Sequence, residues 1–207
     1  MTLTAAEVGH VKQANTTEEV LPAVRKRWSP RAFADRDVTK TDLRKIFEAA
    51  RWAPSSNNEQ PWRFIVGLRG SDTYQKIGSS LVQFNQAWAL NAPVLILGVA
   101  RKRFSRGESE NDYNLYDLGA ATGFITLQAA ALGLVTHQMA GYDKHAARKA
   151  LGIPEEFDLG SVMALGYQGE PSTLTNEKML EQETLPRSRK PLNEIVLGAW
   201  GQPARLE

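Results

Sequence analysis

Apolar residues recur along the chain with two different periods. Between Thr39 and Arg51, Leu43, Ile46, Phe47 and Ala50 fall three and four places apart, Thr39 and Asp42 make a capping start, and Pro54 ends the run. This predicts a helix with one apolar face. Trp62 to Leu68, with Phe64, Ile65 and Val66, reads as a strand, and Ser71 opens a second helical stretch. Pro93 leads into Val94 to Ala100, an unbroken apolar run of the kind found in strands buried on both faces. Tyr113 to Leu132 reads as a long buried helix stopped by Gly133, and Leu134 to Met139 as the strand after it, closed by Gly141. Asp143 caps a short helix, Lys144 to Leu151, ended by Gly152 and Pro154, and Ser161 to Tyr167 is another central strand. The opening, Thr17 to Lys26, is amphipathic; the tail after Gly169 is polar and expected to be extended. There is no internal repeat, and helices alternating with apolar strands indicate a layered α/β or α+β fold.

Composition narrows the function classes. The 207 residues are 42% hydrophobic and 23% charged, enough for one sizeable core, expected over 17–207 behind an N-terminal extension at 1–16. With no Cys, disulfides, thiolate zinc sites, iron-sulfur ligation and cysteine nucleophiles are excluded, which fits a cytoplasmic protein. Twenty-five basic against 23 acidic residues leave +2, too balanced for a nucleic-acid or membrane-surface protein. The opening MTLTAAEVGHVKQ lacks a basic region followed by an apolar run, so no secretory signal is expected. The two charge-free stretches, Phe84 to Ala100 and Leu118 to Ala140, carry Gln, Asn, Pro, Thr and His and read as core elements rather than membrane spans. GxGxxG, GxxxxGK[ST], GxSxG and HExxH are all missing, and His10, His137 and His145 are too scattered for a metal site.

Three local constellations carry chemistry. Arg25, Lys26, Arg27, Arg31 and Arg36 fall within twelve residues, broken by Trp28, Ser29 and Pro30 and relieved only by Asp35. Guanidinium groups and a serine hydroxyl suit a phosphate, although from charge alone a solvated basic turn is the plainer reading. Arg187, Arg189 and Lys190 form a second basic cluster near the other end. Between the helix stop and the strand, Ser55-Ser56-Asn57-Asn58-Glu59-Gln60 supplies short hydrogen-bonding groups suited to a planar heterocycle, or simply to a capped turn.

Taken together, Arg27-Trp28-Ser29-Pro30-Arg31-Ala32-Phe33 and Ala53-Pro54-Ser55-Ser56-Asn57-Asn58-Glu59-Gln60-Pro61-Trp62-Arg63-Phe64 resemble the paired signature of the FMN-dependent nitroreductase family. Asp117 to Leu134 resembles its long central helix, and Ala164-Leu165-Gly166-Tyr167 its late core strand. The resemblance spans about Thr17 to Val196. It implies an α+β, three-layer fold with a mostly antiparallel central sheet flanked by helices. It further implies an intertwined homodimer with FMN at the interface. Arg27, Trp28, Ser29 and Arg31 match the motif that contacts the cofactor's ribityl chain, phosphate and ring edge, and Arg187 and Arg189 match the basic pair on the phosphate. Pro54, Ser55, Ser56 and Asn58, with Gln60 just beyond, match the loop laid against the ring by the partner chain. Gln138, Met139, Ala140 and Gly141 match the segment beside the reactive nitrogen. Ala140 stands where better-known members often carry Glu, and Trp28 is bulkier than some equivalents.

The activity so implied is electron transfer from NADH or NADPH through FMN to a nitroaromatic, quinone or similar small planar acceptor, by ping-pong kinetics and with no residue required as general acid or base. The competing reading is a dimeric, non-enzymatic or stress-related flavin-binding protein. Lys102 to Tyr113 is the candidate lid. Trp52 and Trp88 are expected in the core or on a dimer face, Tyr113, Tyr116 and Phe124 as packing residues, and Trp200 as a C-terminal anchor on the partner chain.

Overall fold

The computed structural model describes residues 3–206. The apolar run at Val94 becomes strand β2, Val94–Arg101, which lies second in a four-stranded sheet ordered β1-β2-β4-β3 with β1 Trp62–Leu68, β3 Val135–Met139 and β4 Phe157–Gly166. All three pairings are antiparallel, with Phe64 opposite Gly98, Ile96 opposite Met163 and Gln138 opposite Met163. Successive side chains of a strand point to opposite faces, and β2 is apolar on both because both are covered. Leu95, Leu97 and Val99 pack with Tyr74, Ile77 and Trp88 from α4 (Asp72–Ser80) and α5 (Gln83–Ala89). On the opposite face Val94, Ile96 and Ala100 join Leu43, Ile46, Leu118 and Ile125 from α3 (Lys40–Arg51) and α6 (Asn114–Ala131). The chain is thus a three-layer α+β fold, its sheet wholly antiparallel among the described strands.

Local signals fix the helix starts. Thr39 accepts from the Asp42 amide at 3.0 Å, and Asp143 accepts from the Ala146 amide at 2.9 Å to open α7, Lys144–Leu151. Helix α6 lies close against the sheet because Gly160 has no side chain there: a Cβ would come within 2.6 Å of Leu118 Cδ2.

The termini differ from expectation. Only Pro22–Lys26 of the amphipathic opening is helical, as α2, and α1, Ala5–Val11, precedes it. The stretch after Gly169 is not extended throughout. It forms α8, Glu177–Thr184, then α9, Leu192–Ile195, and a hairpin of β5, Leu197–Ala199, and β6, Gln202–Pro203, with Trp200 at its tip. Helix α8 buries only Met179 and Glu183, too few apolar positions to create a readable period. Helix α1 is tied to this half of the chain, since the Ala5 amide donates to Glu170 at 2.9 Å and Lys12 Nζ to the Gln182 carbonyl at 2.6 Å. Trp88 is buried in the core, but Trp52 is 70% exposed, and Tyr113, Tyr116 and Phe124 also face outward. No helix among the described residues is long and apolar enough to cross a membrane.

Candidate functional site

Helix α2 ends where Arg27 turns extended, and the next residues form a loop held almost entirely by side chains from elsewhere. Arg187 donates through Nη1 to the Arg27 carbonyl and through Nη2 to the Arg25 carbonyl at 2.5 Å. The two basic clusters, 160 positions apart in sequence, therefore meet. Arg27 reaches Ser29 Oγ at 3.3 Å. Burial, reinforced by Arg189, pushes the Arg27 pKa down, and burial with Arg27 and Arg189 does the same to Arg187. Among the described residues none of Arg27, Arg31, Arg187 or Arg189 pairs with a carboxylate. Arg31 Nε and Arg187 Nε are buried without an acceptor. Crowded cations and orphaned buried donors destabilise one another and favour an anion.

Strand β3 runs beside this loop. His137 Nδ1 lies 3.0 Å from the Pro30 carbonyl, which fixes the ring as an N–H donor there, and the ring packs on Trp88 at 4.4 Å between centroids. Burial, with Arg31 and Arg27 adding to it, drives its pKa down to about 4, so His137 is neutral near pH 7. Gln138 accepts from Ser161 Oγ at 3.0 Å, Met139 is buried, and the chain leaves the strand through Ala140 and Gly141. Asn85 Nδ2 donates to the Gly141 carbonyl at 2.9 Å, and a Cβ on Gly141 would meet that nitrogen at 2.8 Å. The Arg31 guanidinium lies 6.0 Å from the half-exposed Phe84 ring. Helix α5 thus joins the site; neither Phe84 nor Asn85 was expected from sequence, where they read only as part of a buried apolar stretch.

The loop at Pro54 to Gln60 is elsewhere. A 3-10 turn, Ser56–Asn58, is anchored when the Ser56 amide donates to the buried Asp117 at 3.0 Å; Gln60 closes it by donating to Ser55 Oγ at 3.0 Å and to the Asn58 carbonyl at 2.9 Å. Asn57, Asn58 and Gln60 all have positive φ, 51°, 55° and 51°. Such residues cost on the order of 1–3 kcal/mol each and cluster where a loop must present particular groups. Asp117 opens α6, whereas Thr126 and Ala130 near its other end line a cavity of about 210 Å³ with Arg27 and Trp28. At 1.5 Å per residue the two loops stand roughly 14 to 20 Å apart along α6. That cavity touches no residue of 54–60 or 138–141. One chain therefore joins Arg27 to Arg187, sets Pro30 beside His137, the residue before Gln138, and leaves 54–60 at the far end of the helix.

The family model described as "Nitroreductase family" matches residues 24–84 and 69–167. An Archaeoglobus fulgidus protein with the provisional name NADH dehydrogenase/NAD(P)H nitroreductase is 36% identical over 154 residues, 72% of this chain and 86% of that one. A Thermus thermophilus protein named NADH dehydrogenase is 29% identical over 84% of this chain and 93% of its own. Among solved structures, one described as an oxidoreductase containing FMN superposes with a TM-score of 0.85 at 32% identity, covering 92% of this chain and 96% of that one. A provisionally named nitroreductase from Desulfovibrio desulfuricans, in complex with FMN, gives 0.70 at 26% identity over 89% and 98%.

Proposed function

This chain belongs to the nitroreductase family, and from that premise we propose that it is an NAD(P)H-dependent oxidoreductase that holds FMN phosphate in the Arg27–Arg31 loop and passes electrons to a small planar acceptor. The observation that carries the assignment is the convergence of Arg27, Arg187 and Arg189 without any paired carboxylate, on a loop whose Pro30 carbonyl meets His137, the residue before Gln138. FMN when bound supplies the hydride and electron transfer. The protein's part is to bind and orient. Arg27, Ser29, Arg31 and Arg189 offer donors to an anionic tail. Trp28, Gln138, Met139, Ala140 and Gly141 would border the ring, with Asn85 bracing the Gly141 carbonyl.

The loop at Pro54, Ser55, Ser56, Asn58 and Gln60 completes this site only from a second copy. Its distance from Arg27 within one chain supports that reading. So does the outer face of α6, where Tyr116 and Phe124 are exposed and Gly119 and Gly123 meet open space. Close helix-to-helix approach across the glycines would bury this face and bring each 54–60 loop toward the partner's arginines.

Donor and acceptor use one site in turn, so steady-state plots with NADH or NADPH and a quinone or nitroaromatic are expected to run parallel. Intersecting plots would rule out the shared site. A flavin-binding protein without turnover, the alternative, would keep its visible absorbance on anaerobic addition of NADH or NADPH.

A further inference from the structure

Glu183 is a buried acid in an unusual place. It lies on α8 with 1% of its surface exposed, and its carboxylate accepts from two successive amides: Oε1 from Arg31 and Ala32, and Oε2 from Arg31, all at 3.0 Å. Among the described residues no cationic side chain comes within ion-pair distance of it. Its neighbour Gln182 gives its carbonyl to Lys12, whose ammonium also lies 4.8 Å from the Trp28 ring centroid. Burial raises the Glu183 pKa, while the two amides and the charges of Arg31 and Lys12 oppose that rise. A carboxylate persists in such a place only where hydrogen bonds replace its water.

Loops that grip phosphate commonly turn successive main-chain amides toward the anion. Here the amides of Arg31 and Ala32 are already committed to the protein side of the loop. We propose that Glu183 is the positioning residue of the arginine loop, holding its amides inward so that side-chain donors of Arg27, Ser29, Arg31 and Arg189, not main-chain amides, recognise the phosphate. The proposal rests on the FMN reading given above. It explains why a buried acid sits behind a cluster of arginines without pairing with any guanidinium: its acceptors are spent on loop geometry. Arg187 acts on the same loop from the carbonyl side, through Arg25 and Arg27.

The test compares FMN with riboflavin, which lacks the phosphate, in fluorescence titrations of the flavin-free full chain. The ratio of the two Kd values isolates what the phosphate contributes. Glu183→Leu removes both acceptor oxygens and so frees the Arg31 and Ala32 amides that the carboxylate holds. The FMN advantage over riboflavin is expected to shrink by about tenfold, with riboflavin Kd changed less than about twofold. Equal weakening of both ligands, or an unchanged ratio, overturns the proposal. Amide exchange on the unsubstituted chain needs no variant. Arg31 and Ala32 amides are expected to be protected before FMN is added, and to gain no more from FMN than the core strands do. Protection that arises only with FMN would mean that the phosphate takes these amides and Glu183 does not. A wild-type chain that binds neither flavin would instead remove the FMN reading itself.

Discussion

His137 Nδ1 meets the carbonyl oxygen of Pro30 at 3.0 Å, so strand β3 and the arginine loop are joined by a single side chain. The pKa of about 4 is well below the ordinary 6.5. The unfolded chain therefore binds a proton that the folded chain refuses, and stability present above pH 6.5 is lost as pH falls toward 4. The full loss from this group is about 3 kcal/mol. His137→Asn, which keeps a donor for Pro30, should remove that much of the decline between pH 7 and 4 in urea unfolding. An unchanged decline would mean that His137 is not held neutral.

Arg27 and Arg189 are expected to bind phosphate through their side chains. A charge-assisted hydrogen bond is worth about 1.5–3 kcal/mol, so Arg27→Ala or Arg189→Ala should weaken FMN binding about 10- to 100-fold. The loss should be smaller at high salt, where these cations are screened. Isothermal titration at two salt concentrations measures both.

The legible parts of this fold were those with local causes. Thr39 and Asp143 announce α3 and α7 because a cap needs only three following residues, and the strands from Trp62 and Val94 carry their own apolar pattern. Helix α8 was not legible because Glu183 contacts residues 151 and 152 positions away, and nothing near it in sequence marks a buried acid. Arg27 and Arg187 could each be picked out as basic, but their contact across 160 positions is a product of the fold. Tyr116 and Phe124 sit at helical spacing, yet spacing does not say whether the same chain covers them, and here both are exposed.

Gly141 has no room for a side chain, since Asn85 Nδ2 and Val82 Cγ2 would lie 2.8 and 3.1 Å from an added Cβ. Gly141→Ala should cost about 1–3 kcal/mol of stability through overpacking. It should also break the Asn85 bond to the Gly141 carbonyl. The midpoint of urea unfolding tests the first effect.

Gly123 and Trp200 make the proposed dimer testable without disturbing the single chain. A Cβ at Gly123 meets nothing within 4 Å, and Trp200 is 97% exposed. Trp200→Ala should leave the thermal transition of the isolated chain nearly unchanged and Gly123→Leu, which puts a better helix former in α6, should not lower it, while both shift sedimentation toward monomer. Unaltered association by both variants would place the interface elsewhere.

An FMN held by this chain should carry electrons from a nicotinamide. The most direct measurement is the visible spectrum of the freshly purified protein, with the flavin released by denaturation identified, before and after anaerobic NADH or NADPH. A yellow protein that releases FMN and bleaches with either nicotinamide is the expected result; a colourless protein that also fails to take up added FMN would contradict both the cofactor and the activity proposed for it.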